Sequence, residues 1–179
     1  FEWTHFNAIA YDANANDTSV YVSSKNLSRI TRINYNTKEI IWNLGANLRW
    51  WEDLDINHIV FGNSGQHGLQ LLPNSNIVTF DNGIGGQTDV STALEIHIEK
   101  INDVFNADTA WSYTLPEELY GPLSGNVQKL SNDNYLITTI GRSEGAYTIE
   151  VTSEKQIVWS CEYNVGLPMG KIYRAMRIP

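Results

Sequence analysis

The sequence predicts an all-β chain: a β-propeller of about three four-stranded blades and one extra strand. Two observations carry this. One phrase occurs three times, as Ile40-Ile41-Trp42, Thr109-Ala110-Trp111 and Ile157-Val158-Trp159. Each follows a strand-like run (28–35, 92–99, 146–152) and a polar turn (Asn36-Thr37-Lys38, Asn106-Ala107-Asp108, Ser153-Glu154-Lys155), and another apolar stretch precedes each run (19–23, 76–80, 134–140). The second observation is a matching pair of hairpin turns, Pro73-Asn74-Ser75-Asn76 and Ser131-Asn132-Asp133-Asn134. An internal repeat of four short strands is the sequence signature of a propeller blade.

The first unit spans 3–45, with strands expected at 7–12, 19–23, 29–35 and 39–44. Its insert Asp12-Ala13-Asn14-Ala15-Asn16-Asp17 lacks the mid-loop glycine and closing glutamate of a calcium loop, so it reads as an Asx-rich turn. The stretch 46–65, with Trp50, Trp51, Asp53 and Asp55, shows no clear period of two and reads as a loop. The second unit spans 66–115, with strands at 69–72, 77–80, 92–98 and 110–114. A glycine-rich loop is expected at 83–87. The third unit spans 124–163, with strands at 126–130, 135–140, 146–152 and 157–162. Residues 172–178 read as the first strand of a further blade. Three blades and a strand do not close a ring, so the remaining blades, or a second copy of the chain, are the expected partners.

Composition narrows the function. The chain has 179 residues, a formal net charge of −8 and a pI near 4.9, an acidic balance unsuited to a nucleic-acid or anionic-membrane surface. No apolar run approaches the ~20 residues that span a bilayer. The single cysteine, Cys161, cannot form an intrachain disulfide or a multi-cysteine metal site and reads as a buried thiol.

The chemistry-bearing residues fall at first strands. His5 and Asn7, two apart, share one face of a strand. His67, between Gln66 and Gly68, opens the corresponding strand of the second unit, so a propeller brings both histidines toward one axis. Lys25 ends a second strand and Arg174 opens the last one; as cationic donors they suit an anion with several oxygens. Asp81-Asn82-Gly83 most simply makes a tight turn after Phe80; alternatively it sets the Asn82 amide at the channel mouth. Trp50 and Trp51, with Phe6, are candidates to stack on an aromatic substrate.

These residues resemble a known family. Trp3-Thr4-His5-Phe6-Asn7-Ala8-Ile9 with Tyr11-Asp12 resembles the W-x-H-x-N-(S/A)-I-x-Y-D motif of the arylsulfotransferases. Val22-Ser23-Ser24-Lys25-Asn26 resembles their S-S-R-(H/N), Ile41-Trp42-Asn43-Leu44-Gly45 their I-W-x-L-G, Gln66-His67 their Q-H-D, and Phe80-Asp81-Asn82-Gly83 their F-D-N-G. Gly125-Asn126-Val127-Gln128 resembles G-(D/N)-V-Q, and Tyr173-Arg174-Ala175 with Arg177 resembles Y-R-A-x-R. The motifs follow one another in register over nearly the whole chain.

The resemblance implies a six-bladed propeller that moves a sulfuryl group from an aryl sulfate donor to a phenolic acceptor, with no nucleotide donor and no cofactor or metal. It implies that His67 is the transiently sulfurylated histidine. It also implies that His5 and Asn7 are active-site residues binding the sulfuryl oxygens, with Lys25 at a position where the family has arginine; Arg174, Asn82, Trp50 and Trp51 are the further candidates, from the residues themselves, for contact with substrate. Gly68 stands where the family has aspartate and Thr92 where it often has arginine; the family's N-terminal blades have no counterpart here. The expected location is periplasmic or secreted. The alternatives are a non-catalytic propeller acting as a structural or binding module, and a metal-dependent hydrolase using His5, His58 and His67.

Overall fold

The computed structural model describes residues 2–13, 18–46, 57–84, 89–140, 145–163 and 172–178. Thirteen strands form three sheets, joined by loops and one 3-10 turn at Glu117–Leu119. The first sheet holds β1 (Phe6–Asp12), β2 (Ser19–Ser24), β3 (Arg29–Asn34), β4 (Ile40–Gly45) and β5 (His58–Val60), in that order. The second holds β6 (His67–Leu71), β7 (Ile77–Asp81), β8 (Thr92–Ile101) and β9 (Val104–Thr114); the third holds β10 (Asn126–Lys129), β11 (Tyr135–Thr139), β12 (Ala146–Val151) and β13 (Ile157–Tyr163). Neighbouring strands are antiparallel throughout, apart from β4 and β5. The opening strands lie side by side, β1 against β6 and β6 against β10.

The thrice-repeated phrase has a structural meaning. Trp42 pairs with Arg32 and Ile40 with Ile33, which leaves Ile41 unpaired in the register. Trp111 pairs with Glu95 and Thr109 with Ile96, leaving Ala110; Trp159 pairs with Glu150 and Ile157 with Val151, leaving Val158. Each phrase is therefore a β-bulge whose middle residue is the extra one. The tryptophans then face alike. Trp42 is buried in the core between the first and second sheets, with Tyr21, Ile30, Ile77, Leu94 and Ile96. Trp111 packs on the core between the second and third, stacking on Tyr135 with ring centroids 3.6 Å apart. Trp159, in the same position of the third sheet, is 44% exposed.

A second repeat ties the second sheet to β10 and the third sheet to residues 172–178. The Gln70 side chain accepts from Lys129 N at 2.7 Å and donates to Lys129 O at 3.3 Å. Gln128 does the same to Arg177, at 2.8 and 3.0 Å. Glu95 receives Lys129 Nζ at 3.0 Å, Asn76 Nδ2 at 2.6 Å and Tyr135 OH at 2.5 Å. Glu150 receives Arg177 Nη2 at 2.6 Å and Asn134 Nδ2 at 2.7 Å. The first sheet departs from this pattern: Arg32 occupies the place of the two glutamates, and Leu71 that of Lys129 and Arg177.

The structure corrects several expectations. Asn106-Ala107-Asp108 is not a turn but part of β9, pairing with Glu99, Ile98 and His97. The reversal comes earlier, at Asn102 and Asp103, whose φ values of 49° and 66° suit a tight hairpin. Residues 172–178 form no strand ladder; side chains of the third sheet hold them in the place of one. Part of the expected loop 46–65 is β5, a three-residue strand parallel to β4 and too short to show a period. Cys161 is half-buried. Trp50 and Trp51, and most of the 83–87 loop, lie outside the described residues.

Candidate functional site

The site forms where β1, β6 and residues 172–178 meet. His5 adopts φ +48° just before β1, and its ring meets that of His67 edge to face, 5.7 Å between centroids and 74° between planes. Glu2 Oε2 sits 2.8 Å from His5 Nδ1. His67 begins β6 and is 2% exposed. After it the register slips between His67 and Gln70, a bulge that accommodates Gly68 at φ +70°. A Cβ on Gly68 would lie 2.7 Å from Asn126 Oδ1, which gives a physical reason for glycine where the family pattern has aspartate.

The residue before His67 is anchored to the first sheet. Gln66 Nε2 donates to Ser23 Oγ at 3.1 Å, Ser24 O at 3.3 Å and Arg29 O at 2.9 Å, while Asn63 Nδ2 donates to Gln66 Oε1 at 2.7 Å. Asn7 Nδ2 donates to Gln66 O at 2.7 Å, so one amide hydrogen of Asn7 holds the backbone beside the imidazole. Asp81 Oδ1 accepts from Ser64 N at 2.8 Å and Gly83 N at 3.1 Å, tying the 62–66 segment to the end of β7.

His67 Nδ1 has two partners, Asn82 Oδ1 at 2.7 Å and Gly65 O at 3.1 Å. Nε2 has no hydrogen-bond partner among the described residues and is not among the sealed polar atoms. Burial holds the imidazole below its ordinary range; Asn82 and Gly65 partly offset this, while the neighbouring His5 and Lys25 add to it. The ring is therefore neutral near pH 7.

The structure sorts the expected residues. It brings together His5, Asn7, Lys25 and His67. Asn82 is fully buried, and its carboxamide is occupied by His67, Gly121 and Ser124 rather than turned to a ligand. Arg174 is exposed; its neighbour Tyr173 is the residue that reaches the site, with its ring 6.1 Å from that of His67 and its OH 3.5 Å from Asn7 O. Tyr173 was legible only as part of the Y-R-A-x-R match. Glu2 gave no signal, lying outside every motif. Among the described residues no three His, Cys, Asp or Glu side chains converge as metal ligands.

An apolar hollow of about 540 Å³ lies beside the site and not at it. Phe6, Ile9, Val22 and Ile33 line it, on the face of the first sheet turned away from the second.

A family model described as Arylsulfotransferase (ASST) matches residues 1–174. Comparison with curated proteins finds no match. Among solved structures, a protein of unknown function from Bacteroides caccae, determined at 1.35 Å, superimposes with a TM-score of 0.52 at 15% identity. The alignment covers 90% of this chain and 47% of that one, so the chain spans about half the length of its structural relative. At that identity the likeness concerns the fold alone.

Proposed function

The chain belongs to the arylsulfotransferase family, and from that premise we propose that it supplies the nucleophilic half of an aryl-sulfate sulfotransferase working through a sulfo-histidine at His67. The observation that carries the reading is the division of the imidazole: Nδ1 is engaged by two acceptors and Nε2 has no hydrogen-bond partner among the described residues, beside His5 and Tyr173.

The Nε2 lone pair attacks sulfur. The N–S bond forms as the S–O bond to the aryl group breaks, and the electron pair leaves on the phenolate oxygen. Sulfo-imidazolium remains, with its proton still on Nδ1. An acceptor phenol then attacks sulfur and gives up its proton, and the ring returns to neutral. Lys25 supplies a cation for the sulfuryl oxygens; the second amide hydrogen of Asn7 and Nε2 of His5, whose Nδ1 Glu2 holds, are the other donors. His5 Nε2 passes its proton to the departing phenolate and, so unprotonated, takes the acceptor phenol's proton in the second step. Arg174, Trp50 and Trp51 remain candidates for contact with the substrate beyond this cluster.

The same reading makes the three sheets consecutive propeller blades, bounded as the sequence repeat divides them. It is supported by the bulge and glutamine clasp recurring from sheet to sheet, and by the two outward apolar faces, one lined by Ile9, Val22 and Ile33 and the other bearing exposed Trp159. Further blades cover those faces. No helix among the described residues is long and apolar enough to cross a membrane; a periplasmic or secreted location is part of the proposal.

The test is an intact-mass measurement on the complete protein incubated with 4-nitrophenyl sulfate and no acceptor. One SO3 group should appear on the parent, should discharge on addition of phenol, and should be absent from His67→Asn. A parent that gains no mass and transfers nothing overturns the enzyme in favour of a non-catalytic propeller.

A further inference from the structure

Position 82 joins two parts of the chain that are distant in sequence. Asn82 Nδ2 donates to Gly121 O at 2.6 Å and to Ser124 O at 2.7 Å, both in the segment leading into β10. Those two carbonyls can only accept, so they fix which way the carboxamide points. Its Oδ1 is thereby turned to His67 Nδ1. Asn82 Oδ1 and Gly65 O are both acceptors, and only a protonated nitrogen satisfies them.

The surroundings hold this arrangement firmly. Asn82 is fully buried, and Ser91 Oγ donates to Asn82 O at 3.2 Å while accepting from Gly121 N at 3.0 Å. Gly83, which follows, sits at φ +67°, where a Cβ would meet Val90 O. A carboxylate at position 82 would face the two carbonyls with no donor, and an aliphatic side chain would deprive Ser124 O of this donor and leave Gly121 O with Ser91 Oγ alone and His67 Nδ1 with Gly65 O alone. Only a carboxamide presents donors to one side and an acceptor to the other.

We infer that Asn82 is the positioning residue of the nucleophile: anchored by Gly121 and Ser124, it keeps the His67 proton on Nδ1, and so makes Nε2 the reacting atom. The inference rests on the reading of His67 as the nucleophile. It adds that the lead-in to the third sheet, acting through Asn82 beside the local Gly65 carbonyl, decides which nitrogen reacts. Among the described residues the charged or titratable groups facing the ring are His5, Lys25 and Tyr173, and none contacts Nδ1.

The resting protein tests this without turnover. In material labelled with 15N-histidine, with the His67 signals assigned from the spectrum of His67→Asn, the ring should show protonated Nδ1 and unprotonated Nε2 through neutral pH. Asn82→Leu should lose this single tautomer, and kcat with 4-nitrophenyl sulfate should fall about 10- to 100-fold while KM stays near the parent's. A resting His67 protonated on Nε2 overturns the inference even if Asn82→Leu fails to fold. So does a folded Asn82→Leu with the parent's tautomer and kcat. An Nδ1-protonated ring in a protein that forms no adduct keeps Asn82 as the residue that sets the tautomer, and removes the sulfotransferase reading together with the reacting role of Nε2.

Discussion

Gln128 holds the backbone of Arg177 from both sides: its Oε1 accepts from the Arg177 N–H at 2.8 Å and its Nε2 donates to the Arg177 carbonyl at 3.0 Å. It thereby replaces the ladder that residues 172–178 lack, and it fixes the segment that carries Tyr173 onto His67. Replacing Gln128 with alanine removes two exposed hydrogen bonds, each worth about 0.5–1.5 kcal/mol. Faster hydrogen exchange at the Arg177 amide and slower sulfuryl transfer are expected together. Unchanged protection of that amide would show that the clasp does not hold the segment.

The same segment is expected to be acid-labile. The Arg177 guanidinium, then Asn134, hold the Glu150 carboxyl down to about 2 from its usual 4.5. A depressed carboxylate contributes stability that is full above the unfolded value and is lost as pH falls toward the folded one, so the window here runs from about 4.5 to about 2. Arg177→Ala should shift the onset of acid unfolding to higher pH. An acid transition identical to the parent's would show that the pair contributes nothing.

Asp81 should behave in the opposite sense. Burial raises its carboxyl from 3.8 to about 6, against the lowering effect of the Ser64 and Gly83 N–H groups. The folded state therefore binds this proton more tightly than the unfolded chain does, and stability falls as pH rises from about 4 to about 6. Asp81→Asn keeps an oxygen for both N–H groups and never ionises. Urea titrations should show the variant gaining up to about 3 kcal/mol on the parent between pH 4 and 7. A constant difference across that range would count against the assignment.

Gly68 should tolerate no side chain. At φ +70°, with Asn126 Oδ1 2.7 Å from a new Cβ, Gly68→Ala is expected to cost about 1–2 kcal/mol and to disturb the bulge that aims His67. Gly68→Asp, which restores the family's residue, should cost at least as much here. Urea midpoints equal to the parent's would mean that the bulge adjusts freely.

Lys25 should matter by its charge. Lys25→Met removes a cation that opposes a proton on His67, so the imidazole should titrate at higher pH, and adduct formation should slow by about 100-fold. Lys25→Arg keeps the charge and adds a two-pronged donor; it should at least match the parent. Parental rates from Lys25→Met would remove Lys25 from the reaction.

The sequence by itself determined most of the strands, their grouping into three units and the meeting of two histidines. Alternation and turn chemistry are local, and a phrase repeated at Trp42, Trp111 and Trp159 marks equivalent positions before any contact is known. Tertiary structure decided what local pattern does not encode. The phrase proved to be a bulge, because register depends on the partner strand. Residues 172–178 took a strand's place without a strand's ladder, because side chains of the third sheet hold them there. The role of Asn82 was hidden for the same reason. Its motif marked it as a residue at a channel mouth, but its partners Gly121 and Ser124 lie 39 and 42 residues away, and only packing of the third sheet against the second brings their carbonyls to its amide. A hydrogen bond acts over about 3 Å, so a proton's position on His67 is settled by what folding brings that close.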